Sequence, residues 1–526
     1  MNKRQEPKDE TEPAYEAQDD TDSSPSRGPL TRVNQKGGGA ERSAPPVMFA
    51  KEPDPTVLPD GDDDDEFAEQ PHAFAQFIRR TGTKTIDVGD DSPTSPLLPK
   101  QPRSLLDVGL SKAFLTDLAL KIIHYSGTPA LTQLIRRIGL GPGIVQQVIS
   151  TLAEERLVEV MSQSDLYTGN YRYRLTERGM QRVAQALERS RYAGPCPVTA
   201  EQYSEVIRRL HEHKQELSRT RIKAVLGDLV LAPEVSDSVA RALYSGKAAL
   251  FYGPSGNGKT SILERFAHGL DGVALVPYAI YAYGQTIRVF DQSIHEPVEE
   301  PDAETGVKED TKMDRRWVLI RRPAVILGAE MAEDSMDVAY DPAARFYQAP
   351  AHIKAQGGVL IIDDFGRQRI TARDMLTRLM IPIERGWDTL SLTTGEKLSV
   401  PFSVQVLFST NIAIKKLADD SLLRRILYKV EIPNPEMTEF TDVMHRACLQ
   451  KHVLVADGAI EYAVKKLYSA PKLKVRGSYA RDLLDMLVES ASFDGRDPVL
   501  DKESFDRVFR MFLVHETEES EDEPGR

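Results

Sequence analysis

The sequence is short of cysteine, of long apolar runs and of net positive charge, and each shortage removes a class of protein. Only two cysteines occur, Cys196 and Cys448. They form no CxxC pair and no metal-ligand spacing, which excludes a disulfide scaffold and a structural zinc site and fits a reducing compartment. No stretch approaches the roughly 18 apolar residues that a membrane span needs. The opening residues Met1-Asn2-Lys3-Arg4-Gln5-Glu6 are charged with no apolar segment behind them, so a secretory signal is not expected and a cytoplasmic location is. Basic residues number 67 against 80 acidic ones, so the whole-chain charge gives no electrostatic case for nucleic-acid binding, although it leaves room for a local basic patch.

At 526 residues the chain is long enough for two or three domains. Residues 1–104 are rich in Pro, Asp, Glu, Ser and Gly and read as a disordered acidic arm, with the run Asp62-Asp63-Asp64-Asp65-Glu66 at its centre. Within it, Ala73-Phe74-Ala75-Gln76-Phe77-Ile78-Arg79-Arg80 is a lone apolar island of a size that could dock as a short helix. Residues 516–526 form a second acidic tail.

Between these ends, residues 105–192 carry apolar positions at helical spacing: Phe114, Leu115, Leu118 and Ile122, then Leu134, Ile135 and Ile138, then Ile144, Val145, Val148, Ile149 and Leu152. Gly127-Thr128-Pro129 and Gly139-Leu140-Gly141-Pro142 separate the segments. Two short strands follow, residues 157–160 and 171–175, and a last helix over 176–190. This order resembles a winged helix-turn-helix domain. The helix in the recognition position offers Gln146, Gln147, Ser150, Thr151, Glu154 and Glu155 with no lysine or arginine, which disfavours DNA and leaves protein interaction as the expected role. The wing arginines Arg172, Arg174 and Arg178 would permit backbone contact. Residues 193–224 read as a linker and charged helix; His211-Glu212-His213 within it is no metal site, because alternate helical residues point to different faces.

The chemistry-bearing motif is Gly253-Pro254-Ser255-Gly256-Asn257-Gly258-Lys259-Thr260, preceded by the strand-like Ala248-Ala249-Leu250-Phe251-Tyr252 and followed by a helix over 261–268. Such a loop needs glycines so that its backbone N–H groups can curl around phosphates with no Cβ in the way. The helix N-terminus adds positive dipole. Lys259 is placed to reach the β- and γ-phosphates, and Thr260 to offer its hydroxyl to Mg²⁺. Downstream, Gly358-Val359-Leu360-Ile361-Ile362-Asp363-Asp364 is an apolar strand ending in two carboxylates, the Walker B arrangement. Asp363 would hold Mg²⁺ through water and Asp364 would polarise the attacking water.

These motifs, over residues 225–515, resemble AAA+ ATPases. The resemblance implies an α/β nucleotide-binding core (225–432) of parallel sheet flanked by helices, and a helical lid (433–515). It implies ATP as the nucleotide, since the loop itself does not read the base. Residues 401–411 look like the family's sensor 1 strand ending at Asn411. Asp420-Ser421-Leu422-Leu423-Arg424-Arg425-Ile426 looks like the segment carrying the arginine finger, with Arg424 and Arg425 both open for that role. Ser478-Tyr479-Ala480-Arg481-Asp482 resembles the sensor 2 helix, with Arg481 reaching back to the phosphates. A helix over 373–385 and a hairpin turned at Thr394-Gly395 resemble the pre-sensor hairpin of MoxR-like members.

Two departures stand out. The second Walker B carboxylate is Asp364 where the family usually has glutamate, so hydrolysis is expected to be slow or partner-dependent. The stretch from the loop's helix to Walker B is long, with an alternating segment over 276–290, an acidic loop over 296–310 and a second apolar strand near 317–327. A hairpin turn at Tyr283-Gly284 fits the alternation better than a substrate-gripping pore loop. The expected protein is a homo-oligomeric ATPase, a hexameric ring by resemblance, that remodels a protein partner the sequence does not identify. The alternative is a nucleotide-gated DNA-binding regulator.

Overall fold

The computed structural model of the chain describes residues 97–161, 171–212, 218–227, 229–298, 313–471 and 473–519. The arm before residue 97, with its apolar island, most of the acidic loop, His213 and the tail beyond 519 lie outside the described residues.

The described chain packs from Leu97, which is buried against Tyr203 and its neighbours, and Lys100 bridges to Met313. Ser104 then accepts a bond from the Asp107 amide while the Asp107 carboxylate accepts from the Ser104 amide, a reciprocal cap that starts α1 (Leu105–Val108). Next come α2 (Lys112–Ser126), α3 (Leu131–Ile138) and α4 (Pro142–Glu154). Gly139 closes α3 at φ 70°, and Pro142 opens α4, where its missing N–H costs nothing. The antiparallel pair β1 (Val158–Met161) and β2 (Arg172–Leu175) precedes α5 (Glu177–Arg189). The helix, helix, helix, strand, strand, helix order is the one expected. Leu118, Ile122, Leu134, Val148, Leu152 and Val183 share its core, each buried aliphatic side chain stabilising by about 1.5–3 kcal/mol.

The stretch read as a linker is built into the structure. It contains β3 (Val198–Thr199), α6 (Ala200–Glu212) and α7 (Arg219–Leu226). Val198 and Thr199 pair with Ile280 and Tyr281, and buried Tyr203 stacks on Trp317 with ring planes 9° apart. His211 bonds through Nδ1 with the Ser403 hydroxyl, 2.6 Å away.

After α8 (Pro233–Tyr244) the chain lays down β4 (Ala249–Tyr252), α9 (Lys259–His268), β5 (Val273–Pro277), β6 (Ala279–Ala282) and β7 (Gln285–Arg288). Then follow β8 (Trp317–Arg321), β9 (Ala324–Leu327), β10 (Ala339–Asp341), β11 (Phe346–Gln348), α10 (Ala351–Lys354) and β12 (Val359–Ile362). α11 (Ala372–Arg385), β13 (Trp387–Ser391), β14 (Lys397–Pro401), β15 (Gln405–Thr410), α12 (Ile414–Leu417), α13 (Asp420–Leu423) and β16 (Tyr428–Glu431) complete this region.

Five strands form one parallel sheet in the order β16-β4-β15-β12-β9. Every residue of β12 and β15 is buried, which is why both read as unbroken apolar runs: helices cover both faces of such a sheet. One face carries Val239, Leu243, Ile262 and Phe266 from α8 and α9. The other carries Met375, Leu376 and Leu379 from α11. The result is an α/β core of parallel sheet between helical layers.

The long insertion forms a second five-stranded sheet, β10-β11-β7-β6-β3, beside the pair β5–β8. Tyr283 and Gly284 both adopt positive φ, 49° and 77°, and turn β6 into antiparallel β7, the geometry of a two-residue hairpin. The apolar stretch near 317–327 is two strands: β8 pairs with β5 and β9 edges the parallel sheet beside β12. Arg322-Pro323 divides them, since proline cannot donate to a ladder. The expected hairpin β13–β14 follows α11 through Gly386 at φ 70°.

The C-terminal region holds α14 (Met437–Gln450), β17 (Leu454–Val455), α15 (Ala459–Ser469), α16 (Tyr479–Phe493), β18 (Val499–Leu500) and α17 (Lys502–Glu519). Phe440, Met444, Leu467, Leu483, Leu487 and Phe509 form its core. Among the described residues no helix is long and apolar enough to cross a membrane.

Candidate functional site

The parallel sheet order decides where the polar residues meet. β15 lies between β4 and β12, so the ends of the three strands present Gly253, Asn411 and Asp363-Asp364 side by side. The glycine-rich loop leaves β4 and runs into α9. Gly253 (φ 142°), Gly256 (φ 80°) and Gly258 (φ 79°) all take backbone angles closed to ordinary side chains. The first of them is also hemmed in: a Cβ on Gly253 would lie 2.2 Å from the Ile432 carbonyl oxygen. The loop's N–H groups and the first turn of α9 make a cradle for an anion.

Lys259 is 7% exposed and donates from Nζ to the Gly253 and Pro254 carbonyls at 2.9 and 2.8 Å. An ammonium has three donors, so one remains for a ligand after these two bonds. Burial lowers the lysine pKa, and the nearby carboxylates Asp364 and Asp363 oppose that shift. The Thr260 hydroxyl sits 3.0 Å from both Asp363 oxygens. Thus the two elements found separately in the sequence are in contact. Asp364 is exposed, and its backbone is left-handed at φ 49°.

Asn411 follows β15, and its Oδ1 is buried with no hydrogen-bond partner among the described residues. The two candidate finger arginines differ in surroundings. Arg425 is ion-paired with Glu384 on α11, while Arg424 is exposed and has no ion pair among the described residues. Arg481 lies on the first turn of α16, with Nε and Nη2 both 3.4 Å from the Asp482 carboxylate.

Other residues of the C-terminal region touch the loop, and sequence reasoning missed them. The Ser478 amide donates to the Gly256 carbonyl at 2.7 Å, the Gly477 amide donates to Asn257 Oδ1 at 3.0 Å, and Asn257 Nδ2 donates to Asn434 Oδ1 at 2.8 Å. Half-buried Arg476 adjoins them, its guanidinium 5.9 Å from the Tyr479 ring centroid. The available signals were the Gly-Ser pair ahead of α16 and the Pro433-Asn434-Pro435 corner.

The donor set suits a hard divalent cation. Thr260 and Asp363 supply oxygen only, which fits Mg²⁺. Among the described residues no three His, Cys, Asp or Glu side chains gather to hold a metal alone, so the cation would share its shell with phosphate oxygens and water. The arrangement can bind a polyphosphate, neutralise it and polarise a water beside it.

A family model described as a domain of unknown function, DUF8689, matches residues 436–511. No curated protein matches the sequence. Among solved structures, NtrX from Brucella abortus is similar at 12% identity and a TM-score of 0.35, over 59% of this chain and 67% of that one. NtrX in complex with ATP is similar at 12% identity and a TM-score of 0.34, over 62% of each chain. The RuvB Holliday junction branch migration motor of Thermotoga maritima is similar at 15% identity and a TM-score of 0.31, over 53% of this chain and 70% of that one. At this identity and TM-score, function rests on the chain's own residues.

Proposed function

We propose that the chain is a Mg²⁺-dependent ATPase of the AAA+ type that works as a homo-oligomer, with hydrolysis at subunit interfaces driving the remodelling of a protein partner. The observation that carries this reading is the contact of Thr260 with Asp363, 3.0 Å to each carboxylate oxygen, beside buried Lys259. Glycine-loop amides bind the phosphates, and Lys259 neutralises their charge. Thr260 and Asp363 would hold Mg²⁺, which would supply further charge neutralisation. Asp364 accepts a hydrogen bond from the attacking water and, as its O–H bond breaks, the proton. Asn411 can donate from Nδ2 to a phosphate oxygen or accept at Oδ1 from that water.

Arg424 is the better finger. Arg425 is engaged by Glu384 within its own subunit, whereas exposed Arg424 can enter a neighbour's site and stabilise charge on the transferring phosphoryl group. Arg481, in the first turn of α16, takes the sensor 2 role by rotating from Asp482 to the phosphates.

A protein partner is favoured over DNA by the exposed side of α4. The groove there is lined by Lys112, Gln146, Gln147, Ser150 and Glu154 among others, and Arg174 on the wing is engaged by Glu159. The N-terminal winged-helix-like unit is then the recruiting surface.

The test is equilibrium binding of Mg·ATP and steady-state hydrolysis for wild type, Lys259→Ala and Asp364→Asn. Wild type is expected to bind and turn over, Lys259→Ala to lose both, and Asp364→Asn to bind without turnover. Binding that survives in Lys259→Ala at wild-type affinity would refute the assigned site.

A further inference from the structure

The Asn257 side chain stands inside the glycine loop yet is engaged entirely by the C-terminal region. It is 9% exposed. Its Nδ2 donates to Asn434 Oδ1 at 2.8 Å and its Oδ1 accepts from the Gly477 amide at 3.0 Å. The two partners belong to different parts of that region. Asn434 sits between Pro433 and Pro435 at the corner joining β16 to α14, where the proline rings restrict the backbone. Gly477 lies just ahead of α16. A third bond, Ser478 amide to Gly256 carbonyl at 2.7 Å, runs parallel to these. The fit is close, since a Cβ on Gly256 would fall 2.6 Å from Ser478 Oγ.

We propose that Asn257 is a positioning residue that couples occupancy of the phosphate loop to the angle of the helical lid. This rests on the nucleotide-site reading above. Asn257 lies between Gly256 (φ 80°) and Gly258 (φ 79°), the tight curl of the loop assigned to phosphate. A rotation there swings the Asn257 amide, which has one short side chain and two fixed partners. The movement is therefore transmitted to the β16–α14 corner through Asn434 and to the base of α16 through Gly477. Each bond is neutral and partly shielded from water, so breaking one costs part of the penalty of an unsatisfied polar group.

Asn434 allows a test outside the binding machinery. Aspartate at 434 keeps an acceptor for Asn257 Nδ2, whereas alanine removes it. Fluorophores at Tyr244→Cys on the core and Leu449→Cys on α14 report the core-to-lid distance; both native positions are exposed. The distance is measured with and without a slowly hydrolysed ATP analogue and Mg²⁺. The expected result is a nucleotide-dependent shift in the labelled protein that Asn434→Asp retains and Asn434→Ala loses, with nucleotide affinity retained in both. A full shift in Asn434→Ala overturns the coupling while leaving the nucleotide site intact. Failure of the parent protein to bind nucleotide overturns both.

Discussion

Asp364 combines two features that bear on one another. It is the carboxylate beside the phosphate loop, and its φ of 49° is an angle that Asp and Asn tolerate better than most side chains. Asp364→Asn should therefore fold normally, bind Mg·ATP and lose about 10²- to 10⁴-fold in turnover, the usual worth of a positioned base. Single-turnover kinetics with parallel binding isotherms checks this; unchanged turnover would remove Asp364 from the mechanism. Gly253 offers a second residue-scale prediction. A Cβ there meets the Ile432 carbonyl oxygen at 2.2 Å, a backbone atom of the adjoining strand end that cannot swing aside. Gly253→Ala should lower the thermal midpoint and abolish nucleotide binding together. At this scale the loop and its acidic partner were legible because each is a local word in the sequence. Asn257's engagement was not, because its partners lie 177 and 220 residues away.

Where α10, α11 and β13 meet, a buried cluster fixes the helix that follows the acidic strand. His352 Nε2 lies 2.7 Å from Asp388 Oδ2, Arg378 pairs with the same carboxylate, and both His352 and Asp388 are almost fully buried. Burial alone would raise the Asp388 pKa, but the adjacent His352 ring and the Arg378 guanidinium hold it down at about 2. The ordinary value is about 3.9, so the unfolded state binds this proton more readily than the folded one. The stabilisation is complete above about pH 4 and is lost as pH falls through about 2, and it is worth about 2 kcal/mol. Asp388→Asn should destabilise by at least that amount at pH 7, and its deficit against wild type should shrink below pH 4, measured as thermal midpoints across pH. A deficit independent of pH would mean the loss is one of packing. The helix and hairpin here were legible, since α11 repeats at 3.6 and β13–β14 alternates around Gly395. The second sheet was not. β3, β10 and β11 have two or three residues each, too short for a period, and β3 finds its partner in β6 across the whole of α8 and α9.

The N-terminal helical unit is not a free appendage. Ala279 and Phe346 from the second sheet belong to the same buried cluster as Leu118 and Val148, and the Phe114 and Tyr281 rings meet with centroids 4.6 Å apart. Arg316, 3% exposed, pairs with buried Asp314 at 2.8 Å and donates to the Val108 carbonyl at 3.3 Å. Removing residues 1–192 would bare that apolar surface and leave the Arg316 guanidinium short of an acceptor. The truncated chain should aggregate or melt well below the full chain, and calorimetry of the full chain should give no separate early transition for residues 97–192. An independently melting N-terminal unit would contradict the shared core. The order of helices and strands over 112–189 was legible from apolar spacing and the Gly/Pro breaks between the segments. The unit's attachment was not, because Val108, Asp314 and Arg316 are ordinary residues until the fold brings them together.

In the proposed ATPase, Arg424 of a neighbouring copy completes the site. The most direct measurement is ATP hydrolysis by mixtures of Lys259→Ala and Arg424→Ala chains, against each variant alone and wild type across a concentration series. Wild-type activity per subunit should rise with concentration, each variant alone should be inactive, and mixing should restore part of the activity, since intact loop and intact arginine then meet across an interface. Activity per subunit that is independent of concentration, with no recovery on mixing, would contradict it.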